Sequence, residues 1–110
     1  MILLFTLFSC RDAKTARFTV YNKSSSKIDS LYFSPSETIT RRYLVLEPGE
    51  KQKYNLSLAN QSSDGAYGID FRKDGEYVSE KFGYFSNGGA QEKYTVVEIM
   101  DDTIIYRPKF

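Results

Sequence analysis

The chain has few side chains that could carry covalent or metal chemistry. Among its 110 residues there are fourteen carboxylates, one cysteine and no histidine. A Ser–His or Cys–His nucleophile is excluded, because the imidazole that would activate the hydroxyl or thiol is missing. A zinc site would need cysteine or histidine ligands, which the chain does not offer. These absences favour a protein without catalytic residues, without a metal and without a cofactor.

Carboxylates and glycines leave only weak signals for chemistry. Composition alone leaves open a glycoside hydrolase that works with two carboxylates, although a small β-domain rarely forms the deep cleft that such an enzyme needs. Asp74, Asp101 and Asp102 lie in predicted turns, but their spacing matches no calcium-binding loop. The glycine-rich segment 83–89 is followed by no Lys-Ser/Thr pair, so it predicts a hairpin turn rather than a phosphate loop.

The best candidate for a binding site is a group of aromatic residues ahead of a turn. Tyr77, Tyr84 and Phe85 precede Asn87, which opens a turn with two glycines. An exposed tyrosine ring beside an amide is typical of surfaces that bind sugars or proteins, through ring stacking and hydrogen bonds. The candidate binding residues are therefore Tyr77, Tyr84, Phe85 and Asn87.

The same rings also have a structural interpretation. Strict alternation along a strand predicts Phe82 and Tyr84 on one face and Gly83 and Phe85 on the other, which would leave one aromatic exposed. The alternative is that these rings fill the core of a domain that has eight phenylalanines, nine tyrosines and no tryptophan.

The single cysteine, Cys10, follows an apolar N-terminal segment. Residues 1–8 are too few to span a bilayer, which takes about 20 residues in a helix, and they do not alternate like a half-buried strand. An apolar run that ends at a small residue, here Ser9, is typical of a secretory signal with its cleavage site. The motif Leu7-Phe8-Ser9-Cys10 resembles the lipobox of bacterial lipoproteins.

That resemblance implies a lipid anchor. In this family the cysteine thiol receives a diacylglyceryl group, the chain is cut before the cysteine, and the new amino group is usually acylated, often with palmitate. Residues 1–9 would then be the remnant of a signal peptide, Cys10 the lipidated residue, and 10–16 a tether. We expect export to a bacterial membrane, in particular the outer membrane. The motif is compatible with either the periplasmic or the surface face of that membrane. The alternative is a hydrophobic first strand with a buried cysteine.

The signal peptide departs from its usual pattern in two respects. No lysine or arginine precedes the apolar run, although such segments normally begin with positive charge, and the apolar run is short. We therefore expect that the natural translation start lies upstream of Met1.

From residue 17 onward, the sequence consists of short alternating segments separated by turns. Pro48-Gly49, Asp74-Gly75 and the glycines at 88 and 89 are strong turn signals, and Pro108 is expected to end the last strand. The predicted inward-facing residues include Phe18, Val20, Tyr54, Leu56, Leu58, Tyr67, Ile69 and Phe71. The predicted strands cover residues 17–22, 28–34, 42–46, 52–58, 66–73, 76–79 with 81–85, 92–100 and 103–107.

This spacing of strands and turns predicts one all-β domain over residues 17–110. Polar residues at alternate positions favour antiparallel sheets with one solvated face. We expect a β-sandwich of about seven or eight strands, either immunoglobulin-like or a related Greek key.

The charge pattern limits the class of partner. Fifteen basic residues balance the fourteen acidic ones, and no more than two basic residues occur in a row, as in Arg41-Arg42. Nucleic-acid-binding domains are usually basic with clustered lysine and arginine, so no nucleic acid is expected. The sequence favours a membrane-anchored, non-catalytic lipoprotein that binds a protein or another envelope component. A cell-surface glycan-binding module is the alternative.

Overall fold

The computed structural model describes residues 13–36 and 41–110. Cys10, the predicted signal segment and the tether before residue 13 lie outside the described residues. Within the described part the chain forms no helix, and so none that is long and apolar enough to cross a membrane. The strands are β1 Thr15–Asn22, β2 Ile28–Ser34, β3 Leu44–Leu46, β4 Lys51–Ser57, β5 Gly65–Lys73, β6 Glu76–Phe85, β7 Tyr94–Ile99 and β8 Ile104–Lys109.

The eight strands form two four-stranded sheets, and the predicted all-β sandwich is confirmed. Sheet A has the order β4-β1-β7-β8 and sheet B the order β3-β2-β5-β6. All neighbouring strands are antiparallel except β1 and β7, which are parallel, so the expected pairing is wrong at this one position. A parallel pair needs a long crossover connection, which the chain from β2 to β6 provides.

Alternation of apolar and polar residues explains how each sheet buries one face. On β1 the residues Ala16, Phe18 and Val20 are buried, while their neighbours along the strand point outward. The predicted inward orientation is confirmed for Phe18, Val20, Tyr54, Leu56, Leu58, Tyr67, Ile69 and Phe71, each of which is at most 3% exposed.

The centre of the core is a cluster of aromatic rings that joins the two sheets. Phe18 of sheet A stacks on Phe33 of sheet B, with 4.2 Å between ring centroids and 11° between ring planes. Tyr67 and Phe82, both from sheet B, meet Phe18 edge-on at 5.2 and 5.6 Å. Such aromatic pairs contribute about 0.5–1.5 kcal/mol beyond the burial of their surface.

One buried amide connects several turns at the end of the sandwich. Asn22 is fully buried, and its Nδ2 donates to the carbonyl oxygens of Ser26 and Leu46 at 2.8 and 3.0 Å. Its Oδ1 accepts from the backbone N–H and the hydroxyl of Ser24. Every polar atom of this side chain is therefore satisfied, as a buried amide requires.

The last strand continues beyond the point where Pro108 was expected to end it. β8 runs to Lys109, and Pro108 lies opposite Thr95 of β7. This correction follows from the place of β8 at the edge of sheet A. On an edge strand a missing N–H can face solvent, where it costs no ladder hydrogen bond.

A bulge in β6 changes the predicted orientation of its aromatic residues. Tyr67 of β5 lies opposite Phe82 of β6, and Gly65 lies opposite Phe85. Between these two pairs β5 advances by two residues and β6 by three, so β6 contains one extra residue. The extra residue is accommodated at Gly83, which has a φ of 53°. Phe82 and Phe85 therefore both face the core, and the expectation that they lie on opposite faces is wrong.

We expect Phe18→Ala to lower the free energy of unfolding by about 3–5 kcal/mol, because it leaves a cavity between the sheets and removes three ring contacts. Thr19→Ala changes the outward neighbour on the same strand and should cost about 0.5 kcal/mol or less. Urea denaturation followed by circular dichroism measures both. A similar loss for the two variants would contradict the central role of the Phe18–Phe33 contact.

Candidate functional site

The structure places the predicted binding residues in three different environments. Tyr77 and Tyr84 are 62% and 63% exposed, and both project from β6 away from the core. Phe85 is buried and packs against Tyr67, so it offers no surface to a ligand. Asn87 is exposed in the turn after β6, where its backbone N–H donates to an oxygen of the Asp64 carboxylate.

These residues do not form one compact site. Tyr77 and Tyr84 are seven residues apart on an extended strand, which separates them by about 20 Å at roughly 3.3 Å per residue. Only Tyr84 lies close in sequence to the Asn87 turn. A small ligand could therefore not contact both tyrosines at once.

Tyr77 belongs instead to a row of tyrosines across the outer face of sheet B. We call Tyr43, Tyr32 and Tyr77 the tyrosine row. The ring of Tyr32, on β2, meets that of Tyr43 edge-on at 5.5 Å, just ahead of β3. The guanidinium of Arg41 lies 4.0 Å from the centre of the Tyr32 ring, and Ser36 holds it there through its hydroxyl and carbonyl oxygens.

A buried carboxylate organises the other half of the row. Asp70, on β5, is paired with Tyr32 across the strands and is only 8% exposed. The hydroxyl of Tyr77 donates to Oδ1 of Asp70 at 2.6 Å. This hydrogen bond, together with the neighbouring Tyr32 hydroxyl, raises the pKa of Tyr77 well above its usual value. Tyr77 therefore keeps its proton, and its ring is held in place by the carboxylate.

The tyrosine row offers rigid, amphipathic contact area rather than reactive groups. Tyr43 and Tyr77 are 52% and 62% exposed, and Val45, beside Tyr43 on the same face, is 47% exposed. Tyrosine and arginine are enriched among the residues that dominate binding energy at protein interfaces. No cluster of three potential metal ligands occurs in the part of the chain that the structure describes.

A second surface covers the outer face of sheet A. Besides Lys23, which pairs with Glu98, six basic residues lie on or beside its outward positions, and Glu98 is the acidic residue there. We call this surface the basic face, defined by Arg17, Lys51, Lys53, Lys93, Arg107 and Lys109. It gathers six of the fifteen basic side chains and one of the fourteen acidic ones, so the rest of the chain has an acidic excess.

Sequence reasoning missed the basic face because its residues are scattered from position 17 to 109. They come together only when β4 pairs with β1 and β8 pairs with β7; Thr19, for example, is aligned with both Lys53 and Val96. The sequence did contain one indication of this face. The polar residues at alternate positions of each predicted strand must point outward, and on β4 these include Lys51 and Lys53.

Most of the charge on the basic face is unpaired. Glu98 contacts Lys23 at 3.0 Å and Arg107 at 3.2 Å, and these two cations hold the pKa of its carboxyl below its usual value. Among the described residues, no carboxylate lies within ion-pair distance of the other five members of the basic face, Arg17, Lys51, Lys53, Lys93 and Lys109.

A shallow groove of about 450 Å³ runs over this face. Tyr94, which is 41% exposed, lies in its wall beside basic side chains. The groove is lined by Arg17, Phe18, Thr19, Lys53, Asn55, Lys93, Tyr94 and Val96. Its shape and charge suit extended or planar arrays of anionic groups rather than one deeply enclosed ligand.

Comparison with known proteins finds no relative of this chain: no protein-family model, curated protein or solved structure matches it. The residues of the chain itself therefore carry the functional inference. Two surfaces on opposite sides of the sandwich stand out, the tyrosine row on sheet B and the basic face on sheet A.

We expect the phenol of Tyr77 to titrate well above the ordinary tyrosine pKa of about 10, and Asp70→Asn to lower its midpoint by removing the negative charge that disfavours the phenolate. The folded pKa is raised, so this contact stabilises the fold fully below about pH 10 and is lost as the pH rises through the folded pKa. Carbon-13 NMR of the tyrosine ring measures the midpoint. Asp64→Asn is the control, and an unchanged midpoint in Asp70→Asn would contradict the assignment.

Proposed function

We propose that this chain is a non-catalytic lipoprotein, exported and anchored to a bacterial membrane by acyl chains on Cys10, and that it binds a protein partner through the tyrosine row. The outer membrane is the proposed location. The observation that carries the binding role is the row itself, in which Asp70 holds the exposed ring of Tyr77 and Arg41 holds the partly buried ring of Tyr32.

The fixed rings lower the cost of binding. An interface loses about 0.5–1.5 kcal/mol for each flexible side chain that it must order. Tyr77 is already held by Asp70 and Tyr32 by Arg41, so less freedom remains to be lost. The row is flat, because it lies on the face of a sheet, and a flat face with tyrosine, valine and arginine suits the surface of another protein.

The anchor is supported by the lipobox and by the way the domain begins. The Ala13 carbonyl accepts from the Ala90 N–H, and the Lys14 carbonyl accepts from the Leu58 N–H, both at 2.7 Å. The domain is therefore fixed from residue 13 onward, three residues after Cys10. Two or three acyl chains, at about 0.8 kcal/mol per buried methylene, give stable rather than transient anchoring.

A glycan partner is the second candidate, and the exposed side of β6 favours it. Tyr77 and Tyr84 are the two most exposed tyrosines of the described chain and project from the same strand about 20 Å apart. A linear glycan could stack on both rings along the strand, whereas a protein partner would use Tyr77 with Tyr43 and Tyr32.

The binding role is tested by comparing two variants in membranes solubilised after cross-linking. Tyr43→Ser combined with Tyr77→Ser should abolish capture of the partner, whereas Tyr84→Ser should leave capture unchanged. The captured protein, once purified, should bind the double variant at least about tenfold more weakly than it binds the unmodified chain. This corresponds to a loss of about 1.4 kcal/mol in binding free energy. Undiminished binding by the double variant would contradict a role for the row. Binding on a glycan array that Tyr84→Ser abolishes would favour the glycan.

The same preparation tests the anchor. The mass of the membrane-bound protein should include acyl chains on a chain that begins at Cys10, and Cys10→Ser should move the exported protein to the soluble fraction when the membranes are washed with high salt. Tyr84→Ser serves as the matched control, since it alters an exposed residue without touching the anchor. Membrane association of Cys10→Ser that survives the high-salt wash, which removes electrostatic binding, would contradict lipidation at this residue.

A further inference from the structure

Three members of the basic face, Arg17, Lys93 and Lys109, lie at the end of sheet A where the domain starts. β1 begins at Thr15, two residues and about 7 Å before Arg17 on the same strand. Lys93 and Lys109 are close by, because the Lys93 N–H donates to the Lys109 carbonyl at 2.7 Å. The first described residue, Ala13, is three residues from Cys10, which gives a separation between Cα atoms of at most about 11 Å.

Arg17 is seven residues from Cys10, which allows a separation of at most about 25 Å. The Debye length is about 8–10 Å at physiological ionic strength, so this limit is about two to three Debye lengths. Acyl chains on Cys10 would therefore keep Arg17 and its neighbours close enough to reach the headgroups, where attraction becomes strong. An uncharged face at that distance would not be attracted to the headgroups. This face has five cations that no described carboxylate neutralises, so it would be attracted.

Exposed aromatic residues accompany the cations at this end of the sheet. Tyr94, 41% exposed, is paired with Lys109, and Phe110, 76% exposed, follows Lys109 in sequence. Tyrosine is enriched at the level of lipid headgroups, and surfaces that rest on membranes combine lysine and arginine with phenylalanine. Charge and aromatic content thus indicate the same kind of partner.

We propose that the basic face docks on the anionic phospholipid headgroups of the membrane that holds the anchor. This inference rests on the proposed function, since the anchor is what brings the face to a bilayer. Docking through sheet A fixes the orientation of the domain: the acidic excess lies away from the headgroups, and the tyrosine row on sheet B faces away from the membrane.

Docking should be measurable without the anchor. The full chain with Cys10→Ser is mixed with vesicles of phosphatidylglycerol and phosphatidylcholine, or of phosphatidylcholine alone, and sedimented. We expect preference for the anionic vesicles that falls as salt is raised. Each cation near an anionic surface contributes about fivefold to binding, so losing three of them should weaken binding to anionic vesicles by about a hundredfold.

The variant and its control remove the same number of positive charges from exposed positions. The control loses three positive charges from outside the basic face. The variant and the control therefore have the same net charge and differ only in where the charges were removed. Circular dichroism checks that both remain folded. The variant is Lys53→Gln with Lys93→Gln and Lys109→Gln, and the control is Lys27→Gln with Arg72→Gln and Lys81→Gln.

We expect the control to bind anionic vesicles like the parent chain, and the variant to lose the preference for them. Equal binding to neutral and anionic vesicles, or equal loss in variant and control, would overturn the proposal. Binding to soluble polyphosphate without any preference for anionic vesicles would assign the face to a soluble polyanion and would also overturn it. Because Cys10 is already replaced, these results are independent of whether the protein is lipidated in cells.

Discussion

The contact between Phe18 and Phe33 determines how both sheets present their outer surfaces. The two rings stack at 4.2 Å across the interior, one from each sheet. Because successive side chains of a strand point to opposite faces, an inward Phe18 places Arg17 on the outer face of sheet A, and an inward Phe33 places Tyr32 on the outer face of sheet B. A slip of one residue in either strand would exchange core and surface residues along that whole strand. The two candidate surfaces therefore depend on this interior contact.

The same constraint relates the two surfaces to each other. The inner faces of packed sheets are about 10 Å apart, so their outer faces must point in opposite directions. A domain with its basic face on headgroups would present the tyrosine row to the space beyond the membrane. Charge is divided in the same sense, because the basic face gathers six basic side chains and one acidic one, while the chain as a whole is nearly neutral. The proposed anchor, docking face and binding face are thus compatible with one another in a single orientation of the domain.

Local patterns in the sequence were sufficient to predict most of the core outside β6. Alternation identified Phe18, Tyr54, Leu56, Tyr67 and Ile69 as inward-facing, since the period of a half-buried strand is a property of consecutive residues. The tyrosine row was predicted only in part. Tyr77 was identified, but its partners Tyr32 and Tyr43 belong to other strands, and strand pairing is not visible in local periodicity.

Features that depend on pairing between distant segments could not be predicted. The bulge at Gly83 is defined by a mismatch between β5 and β6, and alternation within β6 alone places Phe85 on the wrong face. Pro108 is tolerated because β8 is an edge strand, which follows from the strand order and not from the proline itself. The basic face was missed for the same reason, because its cations are isolated in sequence and adjacent only in the folded sheet.

Orientation on the membrane is the central claim, and paramagnetic broadening tests it most directly. The lipidated protein in phosphatidylglycerol-containing nanodiscs, with a spin label on the lipid headgroup, should show strong broadening of the amide signals of Arg17, Lys53 and Lys109. The amide signals of Tyr43 and Tyr77, on the opposite side of the sandwich, should remain sharp. Equal broadening on both faces, or broadening confined to sheet B, would contradict the account.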